Sequence, residues 1–181
     1  MSIDYATDGP VVTITINRPE TRNALDMAHF QSLAQAWVRF QDNAEARVAI
    51  ITGVDDAFFT GADLKKFIPQ LTGELPHPAG WDESDAIHAV LHDFPLYKPV
   101  IAAVNGVCLG GGMVLLGCTD IRVASSGARF AVMEPKRGLF AGGGPTVRFP
   151  RQMPWAQAWS CSSRPTWSVR AGPWPWASSM R

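Results

Sequence analysis

The sequence predicts an α/β fold, because short apolar strands alternate with segments of helical spacing along the chain. Val11–Ile16 reads VVTITI, a β-branched run that predicts a strand. Val48–Thr52 predicts a second strand, and Val100–Val104 is so uniformly apolar that we expect both of its faces to be buried. Apolar residues that follow Asp26 at helical spacing predict an amphipathic helix over about residues 25–42.

The second half of the chain continues this alternation. A helix is predicted near residues 83–93, and Gly110-Gly111-Gly112 opens an apolar helix at Met113–Cys118. Ile121–Ala124 and Arg129–Val132 predict two more short strands.

Two segments are predicted to be irregular. Ala57–Leu64 is expected to form a turn of small residues. Residues 66–86 hold three prolines and two glycines, which predicts a mobile loop. No internal repeat of the solenoid kind is present.

Length and composition indicate one globular domain. The chain has 181 residues, of which 46% are hydrophobic and 18% charged. A formal net charge of zero argues against a basic surface for nucleic acid or acidic membranes. Three cysteines cannot build a disulfide framework or a four-ligand zinc site. With neither a membrane-length apolar run nor a signal-peptide pattern, we expect a cytoplasmic protein.

Glycines are concentrated in one part of the chain, since ten of the 16 fall between residues 105 and 144. Gly110–Gly112 stands where a strand ends and a helix begins, and free N–H groups at a helix N-terminus suit an oxyanion. Close packing of strand and helix explains the same glycines. A dinucleotide-binding fold is disfavoured, because the G-x-G-x-x-G spacing is absent from residues 105–117.

A second turn of small residues, Gly61-Ala62-Asp63, also follows a predicted apolar segment. Taken alone, it is explained by an ordinary connection between a strand and a helix. Together with Gly110–Gly112 it offers backbone N–H groups from two turns, which could converge on one oxygen as an oxyanion hole requires.

Several motifs, in order from about residue 10 to 158, resemble the crotonase superfamily of enoyl-CoA hydratases and isomerases. The motifs are Asn17-Arg18-Pro19, Arg22-Asn23-Ala24-Leu25, Ala57–Leu64, Lys98–Gly106, Leu109–Gly112, Thr119–Ala124 and Phe130–Glu134. The resemblance implies a spiral of ββα units that binds acyl-CoA thioesters and works through a thioester enolate. Coenzyme A enters as part of the substrate, and no other cofactor and no metal is implied.

The resemblance also assigns site residues. The backbone N–H groups of Ala62 and Gly111 would form the oxyanion hole, and Glu134 would be the catalytic acid or base. Asp63, Leu64 and Lys65 would line the path of the pantetheine arm, and Arg22, Asn23, Ala24 and Leu25 would lie beside the CoA nucleotide. Gly110 completes the implied substrate-binding set.

The number of glutamates at the implied catalytic positions predicts the reaction type. Hydratases of the family use two glutamates, and the position of the first is Val114 here, which cannot accept a proton. A single base at Glu134 favours an isomerase that moves a proton between carbons, although Glu134 could also be a solvated loop acid. Asp120 is better explained by a turn or cap. His88 and His92 are four residues apart but lack a third ligand, which argues against a metal site.

Residues 159–181 form a tail of different composition. Residues 1–134 carry a net charge of −7 and residues 135–181 one of +7, which would suit a tail that binds a partner. Four of the seven tryptophans lie at 159–181 without periodicity, so a genuine core segment is a poor explanation.

A shifted reading frame explains the tail better than either alternative. Trp is encoded only by TGG and Pro by CCN, so a one-base shift across Trp174–Ala177 forces alanine and glycine, each after an aliphatic residue. That pattern resembles the next family motif. We therefore predict a core domain at residues 1–158, a lost base near codon 159 and an out-of-frame tail. The family's C-terminal helical domain would be missing, which puts its trimer in doubt and leaves a catalytically inactive CoA-binding remnant as an alternative function.

Overall fold

Among residues 2–163, three pairs of consecutive strands each place one strand in a large sheet and one in a small sheet. The structure is a computed structural model and describes residues 2–163. This part of the chain has eight strands: β1 (Ile3–Asp8), β2 (Val11–Ile16), β3 (Val48–Gly53), β4 (Ala57–Phe59), β5 (Val100–Val104), β6 (Val107–Leu109), β7 (Ile121–Ala124) and β8 (Arg129–Ala131). The α-helices of residues 2–163 are α1 (Met27–Asp42), α2 (Phe67–Leu71), α3 (Glu83–Ala89), α4 (Gly111–Cys118), α5 (Pro145–Gln152) and α6 (Trp155–Ser163).

The strand order shows the spiral. One sheet has the order β1-β2-β3-β5-β7, and a smaller sheet has the order β4-β6-β8. In the pairs β3–β4, β5–β6 and β7–β8, the first strand therefore joins the large sheet and the second joins the small one. Within the described residues, only β1 and β2 pair antiparallel, with Ile3 opposite Ile16, and all other strand pairings are parallel.

Asparagine side chains hold the corners between strand pairs. The Asn105 amide donates to the carbonyls of Asp55 and Ala57 and accepts from the Gly53 N–H. Asn23 is fully buried and donates to Val54 and Ala57. These bonds satisfy backbone groups that would otherwise be buried without partners.

The core includes the inward face of β2 and the buried face of α1. Val12, Ile14 and Ile16 alternate inward from β2 and are fully buried. Trp37 of α1 is equally buried, and its indole N–H donates to the Ala89 carbonyl at 2.9 Å, which ties α1 to α3. Asp26 caps α1 by accepting from the His29 N–H.

The predicted α/β class is confirmed, with local corrections. The predicted turn at Ala57–Leu64 is wrong at its start, because three consecutive buried residues form β4. The predicted loop at 66–86 contains α2. Strand β1 and helices α5 and α6 were not predicted.

Residues 159–163 of the predicted tail belong to a helix. The tail's boundary at residues 158 and 159 falls inside α6, where Ala158 is buried. Trp159 stacks on Trp155 with ring centroids 6.1 Å apart, and both side chains are mostly exposed. Residues 164–181, including Trp174–Ala177, lie outside the described residues. Within residues 2–163, none of the helices combines the length and apolar character that crossing a membrane requires.

Candidate active site

The two predicted small-residue turns meet in the structure. A Cβ added to Gly61 would lie 3.0 Å from the Gly111 backbone nitrogen, and one added to Gly111 would lie 3.3 Å from the Gly61 Cα. Gly61 has a φ of +89°, a left-handed conformation that side chains disfavour. This close approach brings the residue after Gly61 beside the first residue of α4.

The Ala62 N–H is aimed away from its own strand partner. Ala62 forms a parallel bridge with Leu25, in which the Leu25 N–H donates to Gly61 and the Asp63 N–H donates to Leu25. In such a bridge the residue between the two bonded neighbours, here Ala62, points its own N–H and C=O away from the partner strand. The Ala62 N–H accordingly has no acceptor among residues 2–163.

The Gly111 N–H is free because it opens a helix. The first N–H groups of an α-helix have no intrahelical acceptor, and none is found for Gly111 within the described part of the chain. Gly110 precedes it with a φ of +49°, and a Cβ on Gly112 would lie 2.2 Å from the Phe59 carbonyl oxygen. The glycine triplet is therefore required by both the turn and the packing of α4 on β4.

Glu134 borders a cavity of about 460 Å³ together with both turns. Ala62, Gly110 and Gly111 line this cavity, and a Cβ on Gly110 would lie 3.8 Å from Glu134 Oε1. The Glu134 Oε2 is buried without a hydrogen-bond partner among residues 2–163. Burial raises the pKa of Glu134, and the backbone N–H groups of Glu134 and Met133 offset this only in part.

The rim of the same cavity is apolar and basic. Four half-exposed or exposed aliphatic side chains line it: Leu64, Ile68, Leu71 and Leu139. Lys136 and Arg137 also border the cavity, and neither makes an ion pair within the described residues. Sequence reasoning missed these two cations, although they directly follow Glu134 and Pro135.

A second cavity, of about 450 Å³, shares Ala62 and Gly111 with the first. Val114 and His92 line it, and neither lines the cavity that holds Glu134. The two N–H groups therefore stand at the junction of two cavities, one with a carboxyl group and one with a histidine. Among residues 2–163, no group of three metal-ligating side chains is present.

A buried ion cluster supports the turn at Ala62. The Arg18 guanidinium lies 3.5 Å from Asp26 and 3.6 Å from Asp63, and all three side chains are nearly inaccessible. Burial alone would raise the pKa of Asp26, but hydrogen bonds and charge from His29, with the Arg18 charge, hold it below its ordinary value. Asp63 lines neither cavity.

The segment predicted beside the CoA nucleotide is mostly interior. Asn23, Ala24 and Leu25 are buried, whereas the Arg22 side chain is exposed. The Arg22 carbonyl accepts from the Thr60 hydroxyl at 2.9 Å, so this segment backs the turn that carries Ala62. Lys65 is exposed beside that turn, and Leu64 is the predicted pantetheine-path residue that lines the cavity with Glu134.

The sequence match agrees with this arrangement. A family model described as enoyl-CoA hydratase/isomerase matches residues 6–162. The chain belongs to the enoyl-CoA hydratase/isomerase family. The crotonase resemblance drawn from the motifs is thereby confirmed.

Curated relatives within the enoyl-CoA hydratase/isomerase family include several hydratases. An enoyl-CoA hydratase of Mycobacterium tuberculosis is 38% identical over 150 residues, covering 83% of this chain and 56% of the relative. The (E)-benzylidenesuccinyl-CoA hydratase of Thauera aromatica is 33% identical over 162 residues, covering 87% of this chain and 60% of the relative. A carnitinyl-CoA dehydratase of Salmonella paratyphi B is 38% identical over 158 residues, covering 84% and 57%. The chain thus spans less than two thirds of these relatives' length.

Solved structures of the family superpose well on this chain. The enoyl-CoA hydratase of Mycobacterium marinum gives a TM-score of 0.82 at 32% identity, covering 99% of this chain and 66% of that one. An enoyl-CoA hydratase of Mycobacterium tuberculosis gives 0.80 at 32% identity, covering 94% and 64%.

Proposed function

We propose that the protein binds an acyl-CoA thioester with its carbonyl oxygen between the N–H groups of Ala62 and Gly111. One observation carries this proposal: both unpartnered N–H groups and the Glu134 carboxyl border one cavity. When a proton leaves the α-carbon, negative charge grows on the thioester oxygen. Two preorganised donors stabilise that charge more than the neutral carbonyl, which lowers the barrier.

Glu134 is the proposed proton carrier. Its carboxylate removes a proton from the α-carbon of an enoyl thioester whose double bond is not conjugated, and the electron pair of that C–H bond delocalises onto the carbonyl oxygen. The protonated Glu134 returns the proton to the γ-carbon, so the double bond moves into conjugation and the carboxylate is regenerated. A pKa raised by burial suits both steps, because it strengthens the base without making proton return difficult.

Isomerisation is proposed over hydration because of Val114. Val114 lines the cavity next to the donor pair and offers no group that could deprotonate water. The names of the relatives point instead to hydration and dehydration chemistry. Measuring isomerase activity and hydratase activity side by side therefore decides the reaction type.

The rim of the cavity suits the rest of an acyl-CoA. Aliphatic side chains such as Leu64 and Leu139 offer apolar contact to an acyl chain or a pantetheine arm. Lys136 and Arg137 are placed to attract the phosphates of coenzyme A, since neither is neutralised by an acid within the described residues.

Exchange of α-protons tests the proposal without presupposing the overall reaction. Butyryl-CoA is incubated with the protein in heavy water, and loss of the α-proton signal is followed by proton NMR. We expect exchange with the wild type and at least a hundredfold slower exchange with Glu134→Gln, which keeps the shape of the side chain. Exchange that survives unchanged in Glu134→Gln would exclude Glu134 as the base.

A catalytically inactive CoA-binding remnant is the second candidate. It is favoured by the predicted out-of-frame tail at residues 159–181. Restoring one base before codon 159 should give a longer protein that sediments as an oligomer and gains exchange activity. A monodisperse trimer formed by the 181-residue chain itself would contradict the frame interpretation.

A further inference from the structure

The cavity that holds Val114 contains a histidine that the proposed proton transfer does not use. Of the described residues that line this cavity, His92 alone carries a titratable side chain. The rest of the lining is aromatic, aliphatic or glycine, including Phe30, Phe67 and Val90. A polar ring thus faces an otherwise apolar space that opens directly onto the Ala62 and Gly111 donors.

The turn that ends α3 fixes the position of His92. The His92 N–H donates to Ile87 at 3.0 Å and the Leu91 N–H donates to His88 at 2.9 Å, which is the Schellman arrangement. Leu91 takes the left-handed position with a φ of +56°, where glycine is usual. The next residue in such a turn commonly makes an apolar contact with the helix it follows. Here that residue is His92, so a polar side chain occupies a position that favours an apolar one.

The Nδ1 atom of the His92 ring lacks a hydrogen-bond partner in the part of the chain that the structure describes. This nitrogen is also buried. The Asp93 carboxylate approaches Nδ1 to 3.3 Å without hydrogen-bond geometry, and that side chain is 79% exposed. A buried polar nitrogen without a partner is destabilising, so a ligand that supplies one gains affinity.

We propose that His92 is a specificity-determining residue that hydrogen-bonds a hydroxyl group on the acyl part of the substrate. The preferred ligands are then acyl-CoA thioesters that carry this hydroxyl group at the 4- or 5-position of the acyl chain. A hydroxyl group can donate to or accept from a ring nitrogen, so it suits either form of the imidazole. A carboxylate in the same place would face the Asp93 carboxylate. The proposal rests on the proposed function, because it places the thioester carbonyl at Ala62 and Gly111.

Calorimetric titration of the 181-residue protein tests the preference at equilibrium. The ligands are hexanoyl-CoA, its 4-hydroxy and 5-hydroxy derivatives and adipoyl-CoA, which carries a terminal carboxylate. We expect one of the hydroxylated ligands to bind about threefold to tenfold more tightly than hexanoyl-CoA, as one added hydrogen bond to an unpaired group would give. Tighter binding of adipoyl-CoA than of both hydroxylated ligands would overturn the choice of a hydroxyl group.

Two variants separate His92 from the rest of the cavity. His92→Phe keeps a ring without a polar atom and should remove the preference, so that the hydroxylated ligands bind no more tightly than hexanoyl-CoA. His92→Asn places an amide near the position of Nδ1 and should retain the preference. A hydroxyl preference that persists in His92→Phe would overturn the role of His92.

The wild-type protein provides a readout that does not depend on folding of the variants. With ¹⁵N-labelled histidine, the preferred hydroxylated ligand should shift the His92 ring signal more than hexanoyl-CoA does. Equal affinities and equal shifts for hydroxylated and unsubstituted ligands would overturn this inference and leave acyl-CoA binding intact. Failure to bind any acyl-CoA would overturn the proposed function itself.

Discussion

The buried guanidinium of Arg18 lies 3.6 Å from the carboxylate of Asp63, the residue that directly follows the donor Ala62. Arg18 also donates to the Ala24 carbonyl and lies 3.5 Å from Asp26, which caps α1. One cation thus connects the loop after β2, the start of α1 and the turn of the candidate oxyanion hole. The position of the Ala62 N–H depends on this cluster, although none of its charged groups lines either cavity.

Replacing Arg18 should strongly lower stability. Arg18→Met leaves the buried Asp63 carboxylate without an ion-pair partner among residues 2–163 and removes one of three basic neighbours of Asp26. Breaking a buried ion pair typically costs about 3–5 kcal/mol. Arg47→Met removes an exposed arginine and should change the free energy of unfolding by less than about 0.5 kcal/mol. Urea denaturation followed by tryptophan fluorescence measures both.

A double variant tests the origin of that loss. Asp63→Asn in the Arg18→Met background removes one stranded charge and should recover part of the lost stability. If the double variant is no more stable than Arg18→Met, charge burial is not the cause of the loss.

Gly61 provides a prediction that separates backbone strain from blockage of the donor pair. Gly61→Ala adds a Cβ 3.0 Å from the Gly111 nitrogen at a φ of +89°, so it should displace the donors. Gly9→Ala also has a positive φ, of +53°, but its Cβ would meet nothing within 4 Å. Both variants should lose about 1–2 kcal/mol of stability from left-handed backbone strain.

Only Gly61→Ala should also impair enolate formation. We expect at least a tenfold loss of α-proton exchange in butyryl-CoA with Gly61→Ala and none with Gly9→Ala. Normal exchange by a folded Gly61→Ala protein would show that the contact of the two turns does not matter for the chemistry.

The sequence predicted those elements whose pattern is local. The alternation in Val11–Ile16 and the helical spacing of α1 suffice because each buries one regular face. Strand β1 was missed because its apolar positions are few, with Ile3 and Tyr5 followed by exposed residues. The three-residue β4 was read as a turn because a short, wholly buried strand shows no alternation.

Only those residues of the candidate site that belong to a recognisable sequence motif could be predicted from the sequence. Ala62, Gly111 and Glu134 were found from their motifs, and the structure brings all three to one cavity. The position of Asp63 against Arg18 depends on a contact between distant segments, which no local pattern reveals. The sequence weighs His92 only as a metal ligand, because its place in a cavity depends on the left-handed turn at Leu91 and on the packing around it.

The raised pKa of Glu134 predicts how exchange should depend on pH. The base must be ionised, and burial stabilises the protonated form, so the carboxylate accumulates at higher pH than for an ordinary glutamate. The rate of α-proton exchange should therefore rise with pH through a midpoint above 4.5, the ordinary value. NMR exchange rates measured between about pH 4 and pH 8 should show this rise of the rate with pH. The rise should be absent in Glu134→Gln. A midpoint at or below 4.5 would contradict the effect of burial on the pKa of Glu134.

Val114→Glu should convert the reaction type. Val114 is 6% exposed and lines the cavity that shares Ala62 and Gly111 with the cavity of Glu134. A carboxylate there could deprotonate a water molecule while Glu134 delivers a proton to the α-carbon, so that hydrogen and hydroxide add across a conjugated double bond. General acid–base catalysis of this kind contributes about 10²–10⁴-fold, so hydration of crotonyl-CoA should rise at least tenfold over the wild type. Loss of the conjugated enoyl thioester's ultraviolet absorbance follows the reaction.

The matched control for that variant is Val114→Gln, which has the same size as glutamate but no basic carboxylate. It should show no gain in hydration, and neither should Val114→Glu combined with Glu134→Gln, because each lacks one of the two required carboxyl groups. Burial of an added charge should destabilise Val114→Glu more than Val114→Gln, so activity is compared only at temperatures where both proteins are folded. Rapid hydration by the wild type would show that Val114 does not limit the reaction and that another group already activates water. An equal gain in Val114→Gln would attribute the effect to the shape of the cavity rather than to the second carboxylate.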